Sequence, residues 1–247
     1  MSADDIRAKI TRVYGGVSAQ WELLIDLDFE FAESYSEYLD AAYAAAELEP
    51  HIRELLLLAH DASMTVLEQR GVNERIRRAL QLGASHREVL DILELLSMIS
   101  THSLAIGLPL VFDPSDYTVP HSTTGGYWDA FEGPFSGVHG MMAEHTPRLF
   151  SAYRSMGKTL WRKNGLAPKW RELALVVADL STTHLYAAGA KLHIDNARHY
   201  GATNAEIVAA LALTVPFSEN TIAMGLRALA DLDIEAPRVT NSDPSNE

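Results

Sequence analysis

Apolar positions recur every three or four residues along nearly the whole chain, and no stretch shows the two-residue alternation of a half-buried strand. Between residues 19 and 46, Trp21, Leu24, Ile25, Phe29, Phe31, Tyr35, Tyr38, Leu39 and Tyr43 make one such helical stripe. Pro50 and Pro168 each precede a further run, where the fixed φ and missing N–H of proline suit a helix start. The pattern predicts an all-α protein. It breaks between Phe112 and Gly140, where Pro114, Pro120, Gly125, Gly126, Gly133, Pro134 and Gly137 predict a connecting, lid-like loop with a short helix around Trp128–Phe131. The polar segment 236–247 is expected to fray.

The pattern also repeats. Shifted by 118 residues, Arg53–Leu108 aligns without a gap to Arg171–Leu226, with 20 identities in 56 positions. Arg53-Glu54-Leu55 falls on Arg171-Glu172-Leu173, Asp61 and Ser63 fall on Asp179 and Ser181, and Gly71 and Gly83 fall on Gly189 and Gly201. In each copy the pattern predicts a helix opening at Arg-Glu-Leu, an Asp-x-Ser turn, and a second helix stopped by Gly83 or Gly201. Ser85-x-x-Glu88 and Thr203-x-x-Glu206 then read as capping boxes that start a third helix. We therefore expect a tandem duplication: a first helical repeat over 1–111, a connector over 112–140, a second repeat over 141–235, and a tail.

Charge and composition narrow the function. The chain carries 20 Lys+Arg against 33 Asp+Glu, a net charge of −13, which repels phosphate backbones and anionic lipid. No nucleic-acid or membrane partner is expected. The N-terminal residues show no secretory pattern, and the longest apolar stretch, around Ile207–Leu213, is too short to span a bilayer, so a cytoplasmic location is expected. There is no cysteine, which removes disulfides, thiolate ligands and thiol nucleophiles together. No Gly-rich phosphate cradle, G-x-S-x-G elbow or Walker pattern is present, and no cofactor is expected.

The second repeat resembles the carboxymuconolactone decarboxylase and alkylhydroperoxidase-D family. The residues that carry the likeness are Arg171-Glu172-Leu173 and Leu192-His193-Ile194, followed by Ala197, Gly201 and Glu206-Ile207. The likeness extends over both repeats, most of 20–110 and 140–230. In that family a histidine stands eight residues before the helix-ending glycine, as His193 stands before Gly201. The resemblance implies an oligomeric all-α bundle, with a trimer of two-repeat chains first and a dimer second. Its peroxidase branch implies a Glu-x11-Cys-x2-Cys-x3-His relay. Here Tyr186 and Gly189 occupy the cysteine positions, and Glu172 lies two residues further back than the relay requires. A thiol peroxidase is thereby excluded, whereas the decarboxylase branch needs no cysteine.

His193 is the candidate general acid/base, since imidazole titrates near neutrality, and Glu172 is its natural partner. The plainer readings are a satisfied buried histidine and an acid in the first turn of a helix. Tyr186, His184 and Lys191 are candidate substrate contacts, the last for a substrate carboxylate; the plainer readings, packing for Tyr186 and a solvated helix end for Lys191, are favoured by the sequence alone. His184 and Lys191 are expected on the helix that carries His193. His193, Asp195 and His199 are spaced wrongly for a shared metal on one helix face, so no metal is expected. His121, Trp128, His139 and His145 could cover a pocket. In the first repeat Arg75 replaces His193 and Glu68 replaces Tyr186. Two functions follow: a cofactor-independent decarboxylase-like lyase acting on a small lactone or keto acid, or a non-catalytic scaffold or small-ligand-binding protein that has lost the family's chemistry.

Overall fold

A computed structural model describes residues 1–44, 48–118, 134–161 and 164–231. Every regular element among them is helical. Helix α1 (Ala3–Tyr14) starts at a Ser2/Asp5 capping box and stops at Gly15, whose φ of 81° is the left-handed conformation that glycine adopts without a Cβ clash. The single stripe expected over 19–46 is two helices, α2 (Ala19–Leu27) and α3 (Phe29–Ala44). The break is chemical. Asp28 takes a non-helical conformation and its carboxylate accepts a hydrogen bond from the Phe31 amide at 3.0 Å, a local alternative to the helix ladder.

The repeated part follows as α4 (Pro50–Asp61), α5 (Gln69–Gln81), α6 (His86–Leu96) and α7 (His102–Val111). After α8 (Val138–His145) and α9 (Pro147–Leu160) come α10 (Pro168–Asp179), α11 (Ala187–His199), α12 (Asn204–Ala212) and α13 (Glu219–Asp231). The bounds of α4 and α10, and of α5 and α11, coincide under the shift of 118 residues. Both α4 and α10 open at proline rather than at Arg-Glu-Leu, because proline fits the first turn. Both capping boxes form, Ser85 with Glu88 and Thr203 with Glu206. Even the strain repeats: Leu67 and Leu185 hold φ values of 50° and 47°, a conformation costing about 1 kcal/mol or more for a residue with a side chain.

The two halves are not separate bodies. Leu55–Ala59 of α4 and Leu173–Ala178 of α10 lie in one hydrophobic cluster with Ala79, Ile92, Ala197 and Ala210. Burying one such leucine contributes about 1.5–3 kcal/mol. In addition, α7 packs Ala105 beside Leu192 and Tyr186 of the second half. The turn into α13 reaches the first half, where Tyr14 donates to the Pro216 carbonyl and Trp21 Nε1 donates to Glu219 Oε1 at 2.9 Å. Each half is thus roofed by the last helix of the other.

By length and composition, 86–111 and 204–231 are each long and apolar enough to cross a membrane, against the expectation from Ile207–Leu213 alone. Each run is broken by a 3-10 turn, at Ile99–Thr101 and Val215–Ser218, and each sends residues such as Ile92 and Ala210 into the shared core. The helix expected at Trp128–Phe131, most of the connector, and the tail lie outside the described residues.

Candidate active site

The shared core makes α10 an unusual helix, because every residue from Arg171 to Asp179 is buried, including three that carry charge. Buried charge requires a partner. Arg171 finds Asp91 at 3.0 Å and the Leu166 carbonyl at 2.8 Å, which ties α10 to α6 and needs no further function. Glu172 finds His193 on α11, with Oε2 and Nδ1 2.7 Å apart. A carboxylate only accepts, so we assign the proton of that bond to Nδ1. His193 Nε2 then points away from Glu172 and lies 4.0 Å from Asp179 Oδ2. Glu172 is no helix-terminal acid.

The electrostatics follow from burial. Desolvation alone lowers the basicity of His193, but its hydrogen bond and charge interaction with Glu172, together with the charge of Asp179, more than offset this and leave its pKa raised. Burial raises Glu172, with His193 and, more weakly, Asn196 pulling the other way. Asp179 is pushed up to about 7 by burial, opposed only by His193. Neither of its carboxylate oxygens accepts a hydrogen bond from a described residue.

A cavity of about 60 Å³ opens over this group, lined by His102, Ala105, Phe135, Tyr153, Tyr186, Gly189 and His193 among others. The Tyr186 hydroxyl, pushed up to about 12 chiefly by burial, has no described hydrogen-bond partner. A larger cavity, about 340 Å³, lies over the equivalent place in the first half and is lined by Gly71, Arg75, Phe217, Asn220 and Ala223. Its chemistry differs. Glu54 is saturated there by Arg75 at 3.1 Å, Arg78 at 2.8 Å and the Tyr43 hydroxyl at 2.7 Å, three donors that do not exchange protons near neutral pH. Size favours the first-half cavity; proton chemistry favours the second.

The structure brings Glu172, His193 and Tyr186 together and puts His184 beside them. It places the others differently or apart. His184 stands in the turn before α11, not on it. Lys191 is on the exposed side of α11, paired with Asp195 at 2.7 Å, and does not line the cavity. Asp195 and His199 are exposed and do not gather with His193. His145 accepts or donates a bond with the Tyr117 hydroxyl at 2.7 Å, His139 is fully buried near Phe150 and Tyr153, and His121 and Trp128 lie outside the described residues.

Sequence reasoning missed two members. Asp179 was marked by its identity with Asp61 in the repeat, but was read only as part of a turn. His102 carried no signal, since it belongs to the other half and its repeat counterpart is Asn220.

Known proteins place this architecture. Residues 147–232 match the carboxymuconolactone decarboxylase family. The fold also matches the crystal structure of a proposed gamma-carboxymuconolactone decarboxylase subunit from Burkholderia xenovorans, with a TM-score of 0.80 and 29% identity over 94% of this chain and 97% of that one. No curated protein matches significantly. By sequence in its second half, and by fold over nearly its whole length, the chain is thus similar to carboxymuconolactone decarboxylase-like proteins.

Proposed function

We propose that the protein is a decarboxylase-like lyase acting on a small lactone or keto acid by acid/base catalysis at His193. The observation that carries this reading is the buried His193–Glu172 pair opening on a cavity, in a chain similar to this family. Loss of CO2 breaks the bond between the carboxylate carbon and its neighbour, and leaves the electron pair as a dienolate or enolate. The imidazolium Nε2–H of His193 gives its proton to carbon, and a C–H bond replaces the C–C bond. Glu172 stabilises the imidazolium before transfer and holds the ring in orientation, so that Nε2 rather than Nδ1 faces the cavity. Tyr186, whose hydroxyl has no hydrogen-bond partner among the described residues, donates to a substrate oxygen on which charge develops.

The test is CO2 release from a panel of small lactone acids and β-keto acids. A substrate should be found whose turnover falls at least about 100-fold in His193→Ala and Glu172→Gln, the range for losing a general acid. No release from any member of the panel, or full activity in His193→Ala, overturns the reading.

A further inference from the structure

We propose that His102, Asp179 and His184 form a binding site for one divalent transition-metal ion of the zinc class. His102 Nδ1 and His184 Nε2 are 3.1 Å apart, and they lie 3.8 and 4.0 Å from Asp179 Oδ1. The point equidistant from these three atoms is about 2.1 Å from each, the ordinary length of a zinc–imidazole or zinc–carboxylate bond.

A second observation points the same way. Asp179 is fully buried and both its oxygens lack a hydrogen-bond donor among the described residues, although a carboxylate in such a place needs compensation. A cation at the equidistant point supplies it. The two histidines are only partly buried, which leaves a path for an ion from solvent. Two imidazole nitrogens and one carboxylate oxygen suit zinc, cobalt or nickel, whereas magnesium and calcium prefer oxygen donors alone. Three protein ligands leave a position open, as catalytic rather than structural zinc sites do, and His102 also lines the neighbouring cavity.

Binding requires the lone pairs of both facing nitrogens. The hydrogen now shared between His102 Nδ1 and His184 Nε2 moves to the other nitrogen of its own ring, so both rings stay neutral. The fold prepares the site: the Asp179 carbonyl accepts from the Tyr186 amide at 2.7 Å, and Leu185 in its left-handed conformation closes the turn that returns His184 over Asp179. His102 arrives from the first half as the opening residue of α7. The cluster therefore exists only where the two halves meet.

This inference does not rest on the decarboxylase reading, and metal binding is measured without turnover. Untagged full-length protein is stripped with chelator and titrated calorimetrically with Zn2+ and with Co2+, with Mg2+ as control; the visible spectrum of Co2+ reports its coordination. One equivalent of Zn2+ per chain, no measurable Mg2+ binding, and a Co2+ spectrum of four- or five-coordination are expected. Asp179→Asn, His102→Gln and His184→Gln should each weaken Zn2+ at least tenfold, and His199→Gln should not. Should Asp179→Asn fail to fold, the two histidine variants, whose side chains are partly exposed, decide the matter. No stoichiometric Zn2+ binding by the native chain, or equal binding in both histidine variants, overturns the proposal.

Discussion

His102 Nδ1 lies 3.8 Å from Asp179 Oδ1, although the two residues come from opposite halves of the chain. That contact summarises how the molecule is built: α7 of the first half roofs the cavity of the second, and the segment leading into α13 does the reverse. The halves also share the core between α4 and α10. Residues 112–247 expressed alone would expose the α10 face that α4 covers. We expect no cooperative unfolding transition from that fragment, by circular dichroism against urea. A sharp transition would show that the second half is an independent body.

His193 and Arg75 occupy equivalent positions and should fail differently. His193→Ala removes an imidazole bonded only to Glu172 among the described hydrogen bonds, and should abolish turnover while the helical spectrum is retained. Arg75 binds Glu54 at 3.1 Å and the Val13 carbonyl at 2.8 Å, both buried. Removing one partner of a buried pair costs about 3–5 kcal/mol, here reduced by the remaining contact from Arg78. Arg75→Ala should therefore unfold at markedly lower urea and keep its activity below that point. The opposite pattern would move the acid/base chemistry to the first half.

Gly189 and Gly71 are glycines for want of space, not for backbone freedom. A Cβ on Gly189 would run into the Asp179 carboxylate and the Tyr186 ring, and one on Gly71 into the carboxylates of Asp61 and Glu68. Gly189→Ala should cost about 1–3 kcal/mol by overpacking and displace Asp179. Gly71→Ala should cost a similar amount without touching activity. Paired denaturant and turnover measurements check this; an active, fully stable Gly189→Ala would show that Asp179 has room to move and is not a fixed wall of the site.

The helices were legible because period, proline and capping chemistry are local. The capping boxes at Ser85 and Thr203 and the glycine stops at Gly83 and Gly201 are set by neighbours within a few residues, and they form where the sequence expects them. The pairing of Glu172 with His193 was legible as chemistry, a carboxylate and an imidazole in one repeat, although Glu172 stands two residues further back than the family's relay requires. What local pattern does not contain is the exchange of roofing helices. Nothing near His102 announces that it meets Asp179, and nothing near Lys191 announces that its face of α11 looks outward, because both are decided by which helix packs on which. His184 was placed on the wrong element since the left-handed Leu185, an improbable conformation for leucine, starts α11 later than periodicity suggests.

The pH dependence of stability should carry the mark of His139. This imidazole is fully buried, and burial first, then the positive charge of Arg154, holds it down to about 4 from 6.5. Because the folded value is depressed, the native ring stays neutral while the unfolded chain takes up a proton. Stability is therefore complete above pH 6.5 and is lost as the pH falls toward 4, by at most about 1.4 kcal/mol per unit from this group. His102, also held near 4, acts in the same direction, so the test is a difference. His139→Gln and His139→Leu should each lose less stability than the native chain between neutral pH and about pH 5. Equal losses would mean that His139 is protonated in the folded protein.

The last expectation concerns assembly, a proposal that rests on the apolar surface of the two roofing helices. Leu110 and Val111 at the end of α7 are 82% and 71% exposed, and Met224 on α13 is 72% exposed. Exposed apolar side chains mark a contact surface where they gather into one contiguous patch, as the neighbouring Leu110 and Val111 begin to do. We expect a homo-oligomer, a trimer first and a dimer second, since closed rotational symmetry lets one surface be used by every copy. Light scattering at micromolar concentration should give a multiple of 27.2 kDa. Leu110→Lys and Met224→Lys, singly and together, should shift the species toward one chain with no change in helical content, because neither side chain is buried in the monomer. Loss of the oligomer in Leu110→Lys alone would assign the contact to α7, and in Met224→Lys alone to α13. A native chain that scatters as a single 27.2 kDa particle would refute the assembly and leave these residues as plain exposed surface.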